Sequence, residues 1–241
     1  FANPNEKRIW LHCFGMGLFT NALPFSLLAW GQQQVTSSFA GVCMAVVPLL
    51  VLPLSHFLVP GERMTRAKVA GFAVGFAGVF LLVGGDSLLG DGGTEPSLFL
   101  AQIACVGASC CYAIGSIVTR LCPPIPTQSF AATGLLLGAA MLIPTALLFE
   151  GLPQTASLPA VAGVIYLALF PTAAATILLT VLIKRAGPPF LSLVNYQVPV
   201  WAVIIGAVVL LEPLPGHFLI ALMVILAGLA LSQFYDRWRH G

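Results

Sequence analysis

Long apolar stretches, broken at short intervals by polar or glycine- and proline-rich connections, run the length of the chain. A helix needs about 20 mostly apolar residues to cross a bilayer. Eight stretches meet that measure: 9–31, 35–58, 67–85, 97–119, 126–149, 159–183, 189–211 and 216–234. The connections are short, as in Val59-Pro60-Gly61-Glu62-Arg63 and the glycine-rich segment from Gly84 to Pro96. The apolar runs are too continuous for the alternating strands of a barrel, so the pattern predicts helices. The expected fold class is an all-α membrane protein, a polytopic helical bundle.

Composition agrees. The 241 residues are 59% hydrophobic and only 7% charged, against about 25% charged in soluble domains. That excludes a soluble enzyme, a nucleic-acid-binding domain and a disordered tail. The placement of the charges says more. If the spans alternate, Lys7, Arg8, Arg63, Arg66, Lys68, Arg120, Lys184, Arg185, Arg237 and Arg239 all fall on one side. The connections on the other side carry Asp86, Asp91, Glu95, Glu150 and Glu212 and no Lys or Arg. The excess of basic residues on cytoplasmic loops then predicts that both visible ends are cytoplasmic.

The chain also resembles itself. Leu18-Phe19, Ala22, Leu27-Leu28, Phe39 and Val47-Pro48 match Leu169-Phe170, Ala173, Leu178-Leu179, Phe190 and Val198-Pro199 at an offset of 151. After a one-residue slip, Glu62, Ala77-Gly78 and Leu81 match Glu212, Ala227-Gly228 and Leu231. Equivalent residues lie five spans apart, and an odd separation inverts orientation. Inverted repeats are an architecture of secondary transporters, with the substrate site where the halves meet. The second repeat has five spans (97–235) and the first only three (1–85), joined by an external loop at 86–96 and followed by a tail at 236–241. A five-plus-five arrangement is therefore expected, with two further spans before Phe1.

The run ending Pro60-Gly61-Glu62-Arg63-Met64-Thr65, followed by Gly71, Gly75 and Gly78, resembles the end of an EamA repeat of the drug/metabolite transporter superfamily. The second copy is similar: Pro199-Val200-Trp201, then Leu210-Leu211-Glu212-Pro213-Leu214 and Ala227-Gly228. So is Ala29-Trp30-Gly31-Gln32-Gln33-Gln34 ahead of Ser37-Ser38-Phe39-Ala40. Within the superfamily the chain resembles bacterial ten-span amino acid and metabolite exporters of the YddG type, which implies a bacterial inner membrane. The resemblance implies ten spans, a central cavity, alternating access and export of small metabolites. It does not imply a particular substrate.

Polar side chains inside a bilayer usually face the protein interior or a water-filled cavity. In span 189–211, Ser192, Asn195, Tyr196 and Pro199 are spaced along one helical face, with Trp201 beside it. The equivalent face of span 35–58 carries Met44 and Pro48. Span 97–119 holds a stripe of Gln102, Cys105, Ser109, Tyr112, Ser116 and Thr119, for which substrate contact and helix packing are both open readings. Thr172 and Thr176 share a helical face just after a kink at Pro171, while Asn21 precedes Pro24 by one turn. Asn21 and Thr172 are aligned positions of the two repeats. The prolines free backbone carbonyls and supply hinges.

Other residues are read structurally. Glu62 and Glu212 stand at span ends, where a carboxylate serves as a cap or headgroup contact. His12, His56, His217 and His240 are interfacial or in the tail. Gly71-x-x-x-Gly75 and Gly134-x-x-x-Gly138 are close-packing surfaces. The six cysteines form no CxxC pair, and no phosphate-binding loop occurs, so no metal or cofactor is expected. No charged residue lies deep in a visible span, which disfavours phosphorylated substrates and proton coupling through a buried carboxylate. The expected function is gradient-driven export of amino acids, aromatic ones among them, or of neutral or amphipathic solutes. The partners are then a small-molecule substrate and the lipid bilayer, with no nucleic acid, and a monomer is compatible with the sequence. A channel shares this architecture; a receptor would not need an inverted repeat, and an intramembrane enzyme would need a catalytic constellation that the spans lack.

Overall fold

The computed structural model describes residues 4–89, 95–151, 157–174 and 188–240, with side chains at 6–85, 95–151, 157–171, 174 and 197–233. All regular secondary structure among the described residues is helical: α1 (Pro4–Met16), a π-helical segment π1 (Gly17–Ala22), α2 (Leu23–Gly31), α3 (Ser37–Cys43), α4 (Val46–Leu58), α5 (Arg66–Leu89), α6 (Pro96–Arg120), α7 (Thr127–Phe149), α8 (Leu158–Leu167), a second π-helical segment π2 (Ala168–Ala174), α9 (Pro188–Val208) and α10 (Gly216–His240). Each expected span falls on these elements, the one at 159–183 being described only as far as Ala174. Six of the described helical rods are long and apolar enough to cross a membrane. This is a polytopic helical membrane protein.

The chain divides into two compact units. One comprises Phe1–Leu142 and Tyr196–Gly241, the other Ile143–Asn195. In the smaller unit α8 is capped by Ser157, whose side chain accepts the Ala160 N–H, and α8 runs directly into π2, which contains Pro171. No residue of α8 is buried.

In the larger unit, proline chemistry sets the breaks. Pro24 has no N–H to give to the carbonyl one turn back. The strain is taken up just ahead of it: the Leu23 N–H reaches back to the Leu18 carbonyl, widening the turn into π1. The Thr20 hydroxyl donates to the Met16 carbonyl and Ser26 to that of Ala22, using side chains to satisfy local backbone groups. The rod at 37–58 breaks at Met44–Ala45, where Met44, Ala45 and Val47 make tighter bonds to carbonyls three residues back, just ahead of Pro48. Val47 thus bonds Met44 and not Cys43, and the Cys43 carbonyl accepts instead from the buried Ser109 hydroxyl at 2.7 Å. One side chain of α6 closes the gap.

Without a hydrophobic drive between helices in lipid, close backbone approach supplies the packing energy. The α5–α10 pair is the most extensive helix contact in the unit. A Cβ on Gly71 would stand 2.5 Å from the Gly228 carbonyl oxygen and 2.6 Å from the Ser232 nitrogen, so only glycine permits this crossing. Gly78 meets Ile225 and Ala221 in the same seam. A second glycine seam joins π1 to α7, where a Cβ on Gly17 would meet the Gly134 carbonyl at 2.8 Å and the Gly138 nitrogen at 3.0 Å. The core lies among α3, α4, α5, α6 and α10, around Val42, Val46, Leu49, Leu82, Ile225 and Leu229. Phe57, Phe80, Leu148 and Phe149 are exposed, as side chains solvated by lipid tails.

Candidate functional site

The end of the 37–58 rod that begins with α3 is built around a distant carboxylate. Thr36 caps α3 by accepting the Phe39 N–H, leaving the N–H groups of Ser37 and Ser38 without a partner in the helix. Glu212 takes both, Oε1 from Ser37 at 2.7 Å and Oε2 from Ser38 at 2.9 Å, and also accepts the Ser38 hydroxyl at 2.6 Å. An anion at a helix N-terminus also complements the helix dipole. Burial pushes the Glu212 carboxyl upward, but the hydrogen bonds from Ser38 and Ser37 outweigh it and leave the group below its usual 4.5.

The local backbone aims this side chain. Leu211, just before Glu212, has φ 54°, a left-handed conformation costly for a non-glycine residue. It turns the chain sharply off the end of α9, and the Glu212 N–H returns to the Gly206 carbonyl at 3.0 Å. Gly206 leaves the space: a Cβ there would lie 2.5 Å from Glu212 Oε2 and collide with the Ser38 hydroxyl. Gly41 likewise accommodates the Ala202 methyl. The last two turns of α9 therefore lie directly on α3, with Glu212 as the clasp.

At the other end of the same rod, Glu62 pairs with Arg120 at 2.5 Å, tying the α4–α5 loop to the end of α6. Both side chains are substantially exposed, so this pair contributes little. The two carboxylates matched by the internal repeat thus both fasten helix ends, as their positions in the sequence suggest.

The expected cavity residues are distributed as follows. Asn21 lies in π1, donating to the Thr20 hydroxyl at 3.1 Å, with its Cβ against Gly138 of α7. Thr172 lies in π2, though its side chain is outside those described. The two π-helical segments begin 151 residues apart, at Gly17 and Ala168, which is the register of the internal match; such wide turns occur frequently at functional sites. Ser192, Asn195 and Tyr196 lie on α9 with side chains outside those described, and Thr176 falls outside the described residues altogether. Pro199 is fully buried within α9, whereas Trp201 on the same helix is half exposed. Met44 sits at the break between α3 and α4, partly buried, with Pro48 just beyond it. Tyr112 is half-buried on α6, but Ser109 is fully buried and engaged with Cys43. Pro24 and Pro171 lie beside or within the π-helical turns.

Sequence reasoning missed the Ser37–Ser38–Glu212 clasp as a unit. Its signal was present: Thr36-Ser37-Ser38 ahead of an apolar run is a helix-start signature, but its partner lies 174 residues further along. Among the described residues no cluster of three His, Cys, Asp or Glu side chains forms a metal site.

The chain is similar to known proteins along nearly its whole length. The model of the EamA-like transporter family matches residues 1–84 and 99–234. The inner membrane transporter YedA of Escherichia coli K12, itself uncharacterised, is 29% identical over 176 residues, 73% of this chain and 55% of YedA. The chain thus spans about half the length of that relative. The aromatic amino acid exporter YddG of Ancylobacter novellus is 28% identical over 231 residues, 95% of this chain and 77% of that protein. A solved crystal structure at 26% identity superposes with a TM-score of 0.65, covering the whole of this chain and 80% of its own. The chain belongs to the EamA-like transporter family.

Proposed function

We propose that the protein is a secondary transporter that exports small metabolites across the bacterial inner membrane by alternating access, driven by the solute gradient. Family membership and the similarity to an exporter named for aromatic amino acids support the reading. The observation that carries it is the pair of π-helical segments in the register of the repeat, each holding one of the aligned polar residues Asn21 and Thr172. Wide turns of this kind are frequent at functional sites, and inverted repeats are an architecture of secondary transporters. In this arrangement the visible ends are cytoplasmic and the chain forms one complete and one partial EamA repeat.

The residues that the sequence assigns to substrate contact are uncharged and modestly polar: Asn21, Thr172, Thr176, Ser192, Asn195, Tyr196 and Trp201, with Met44 and Tyr112. A cavity of that kind takes neutral or zwitterionic solutes, aromatic amino acids first among them. Counterflow of labelled phenylalanine in proteoliposomes tests this. Saturable uptake accelerated by internal unlabelled phenylalanine is expected, and Asn195→Ala should slow it at least tenfold at unchanged protein yield. Flux that is non-saturable and shows no counterflow would mean a pore and sink the carrier reading.

A further inference from the structure

The seam between α5 and α10 carries the internal match into three dimensions. A Cβ on Gly78 would meet the Ile225 nitrogen and the Ala221 carbonyl oxygen, and one on Gly228 would meet the Gly75 nitrogen and the Gly71 carbonyl oxygen. Exchanging each residue for its counterpart 150 positions away turns one set of contacts into the other, and the same offset relates Glu62 to Glu212. The fasteners at the two ends of the 37–58 rod break this symmetry. Glu212 grips the N–H groups of Ser37 and Ser38 and the Ser38 hydroxyl. The counterparts of 37 and 38, at the offset of 151 that matches Phe39 to Phe190, are Pro188 and Pro189. Proline has no N–H to donate and no hydroxyl, so the mirror image of this grip, by Glu62 on the start of α9, has no donors. Glu62 is paired with Arg120 instead. The grip of Glu212 is also held at a cost, in the left-handed φ of Leu211, and strain of that kind clusters at clamps and switch regions.

We propose that the Glu212 clasp is a one-sided latch. It holds the transporter closed on the side away from the visible chain ends, external in the proposed orientation, and it has no counterpart on the cytoplasmic side. The inference rests on the alternating-access reading above. The rod at 37–58 and α9 are equivalents in the repeat, and they carry Met44 and the Ser192–Tyr196 face. Their external ends meet with Gly41 against Ala202 and Gly206 against Ser38, which shuts those residues off from the outside. Rocking of inverted repeats closes one side as it opens the other. A latch on one side only therefore tilts the resting balance toward the inward-open state, and outward opening begins when Glu212 releases α3.

Hydrogen–deuterium exchange read by mass spectrometry, on the protein in lipid nanodiscs at pH 7 without solute, tests the latch. Glu212→Gln replaces one acceptor oxygen by a donor, and Ser38→Ala removes the hydroxyl bond. Each should raise exchange over 37–43 at least fivefold and lower it at least twofold over 53–58 and 114–120, at the cytoplasmic ends of α4 and α6. The α5–α10 seam at 71–79 should not change. Opposite movement at the two ends is the signature, because loss of a cap that served only stability leaves the far end unchanged or loosens it. Unchanged or faster exchange at 53–58 and 114–120 in a folded variant would overturn the latch. In the unaltered protein 37–43 should exchange at least tenfold faster than the seam, though Ser38, Phe39 and Ala40 are as buried as Gly71 and Val79. Equal rates there, meaning that α3 is freed only by global unfolding, would overturn it even if neither variant folds. Opposite movement without counterflow would keep the latch in a protein that does not carry phenylalanine, whereas counterflow without opposite movement would leave a carrier with a plain helix cap.

Discussion

Replacing Glu212 with alanine removes a carboxylate that accepts three hydrogen bonds from the first turn of α3. The cost follows from what is left behind. Ser38 is fully buried, so its N–H and hydroxyl lose their acceptor with no water to replace it. Each orphaned buried group costs roughly 1–3 kcal/mol, and the lost charge at the helix N-terminus adds about 0.3–1 kcal/mol. The Ser37 N–H is exposed and recovers a bond to water, so it adds little. Partial relaxation of the Ser38 hydroxyl toward a backbone carbonyl sets the expected loss toward the lower end of the summed range, at about 3 kcal/mol. For a chain of this size, roughly 2–4 °C per kcal/mol gives a melting point lower by about 6–12 °C. The assay is thermal unfolding of purified protein in mild detergent, followed by intrinsic tryptophan fluorescence and circular dichroism. Glu212→Gln keeps one acceptor oxygen and should lose about half as much. The pH dependence supplies a second reading. The folded pKa of Glu212 is depressed, so its contribution is fully present above the ordinary 4.5 and disappears as pH falls through the folded value. The gap between the unaltered protein and Glu212→Gln should therefore be constant from pH 6 to 8 and close under acid. A Glu212→Ala protein melting within about 1 °C of the original, an effect far below that of a lost cap, would refute the reasoning.

Three further substitutions probe the packing. Gly71→Ala places a methyl against the Gly228 carbonyl and Ser232 nitrogen, both backbone atoms that cannot swing aside, so about 2–3 kcal/mol should be lost and the eluted peak should broaden or vanish. Ser109→Ala orphans the Cys43 carbonyl at the α3–α4 break and should lower stability by about 1–2 kcal/mol in the same melt. Arg120→Ala breaks an exposed pair with Glu62 and should shift the melting point by no more than about 2 °C, since such pairs contribute less than about 1 kcal/mol; added salt should leave that small difference smaller still.

The elements that could be read from sequence are those whose cause is local. Glycines at 71 and 75 mark a helix face by spacing alone, and that face does meet α10 at Gly228. Pro48 forecast a discontinuity, which falls three to four residues upstream, where a missing N–H is felt. The end-of-span position of Glu212 suggested a cap, and it is one, but the capped helix could not be named because the pairing spans 174 residues and depends on tertiary contact. Ser109 shows the same limit from the other side. A serine in a polar stripe looks alike whether it faces a solute or a neighbouring carbonyl, and the need of Cys43 for a donor exists only once α3 has broken. Gln102 reads as one more member of that stripe; that its carboxamide oxygen is buried without a partner is visible only in three dimensions.

The wide turn at Gly17–Ala22 carries a genetic consequence. Such a turn holds a residue more than the regular spiral needs, so it behaves as an insertion that the span has absorbed. Deleting one residue there would restore the ordinary spiral and leave the helix before it facing nearly as it does now. Trp10 and Phe14 would stay turned outward and Cys13 inward, and only the side chains inside the turn, Asn21 among them, would be re-aimed. A single-codon deletion in π1 is thus confined to the turn, whereas the same deletion in a regular stretch of the span would turn one part of it against the other by about 100°.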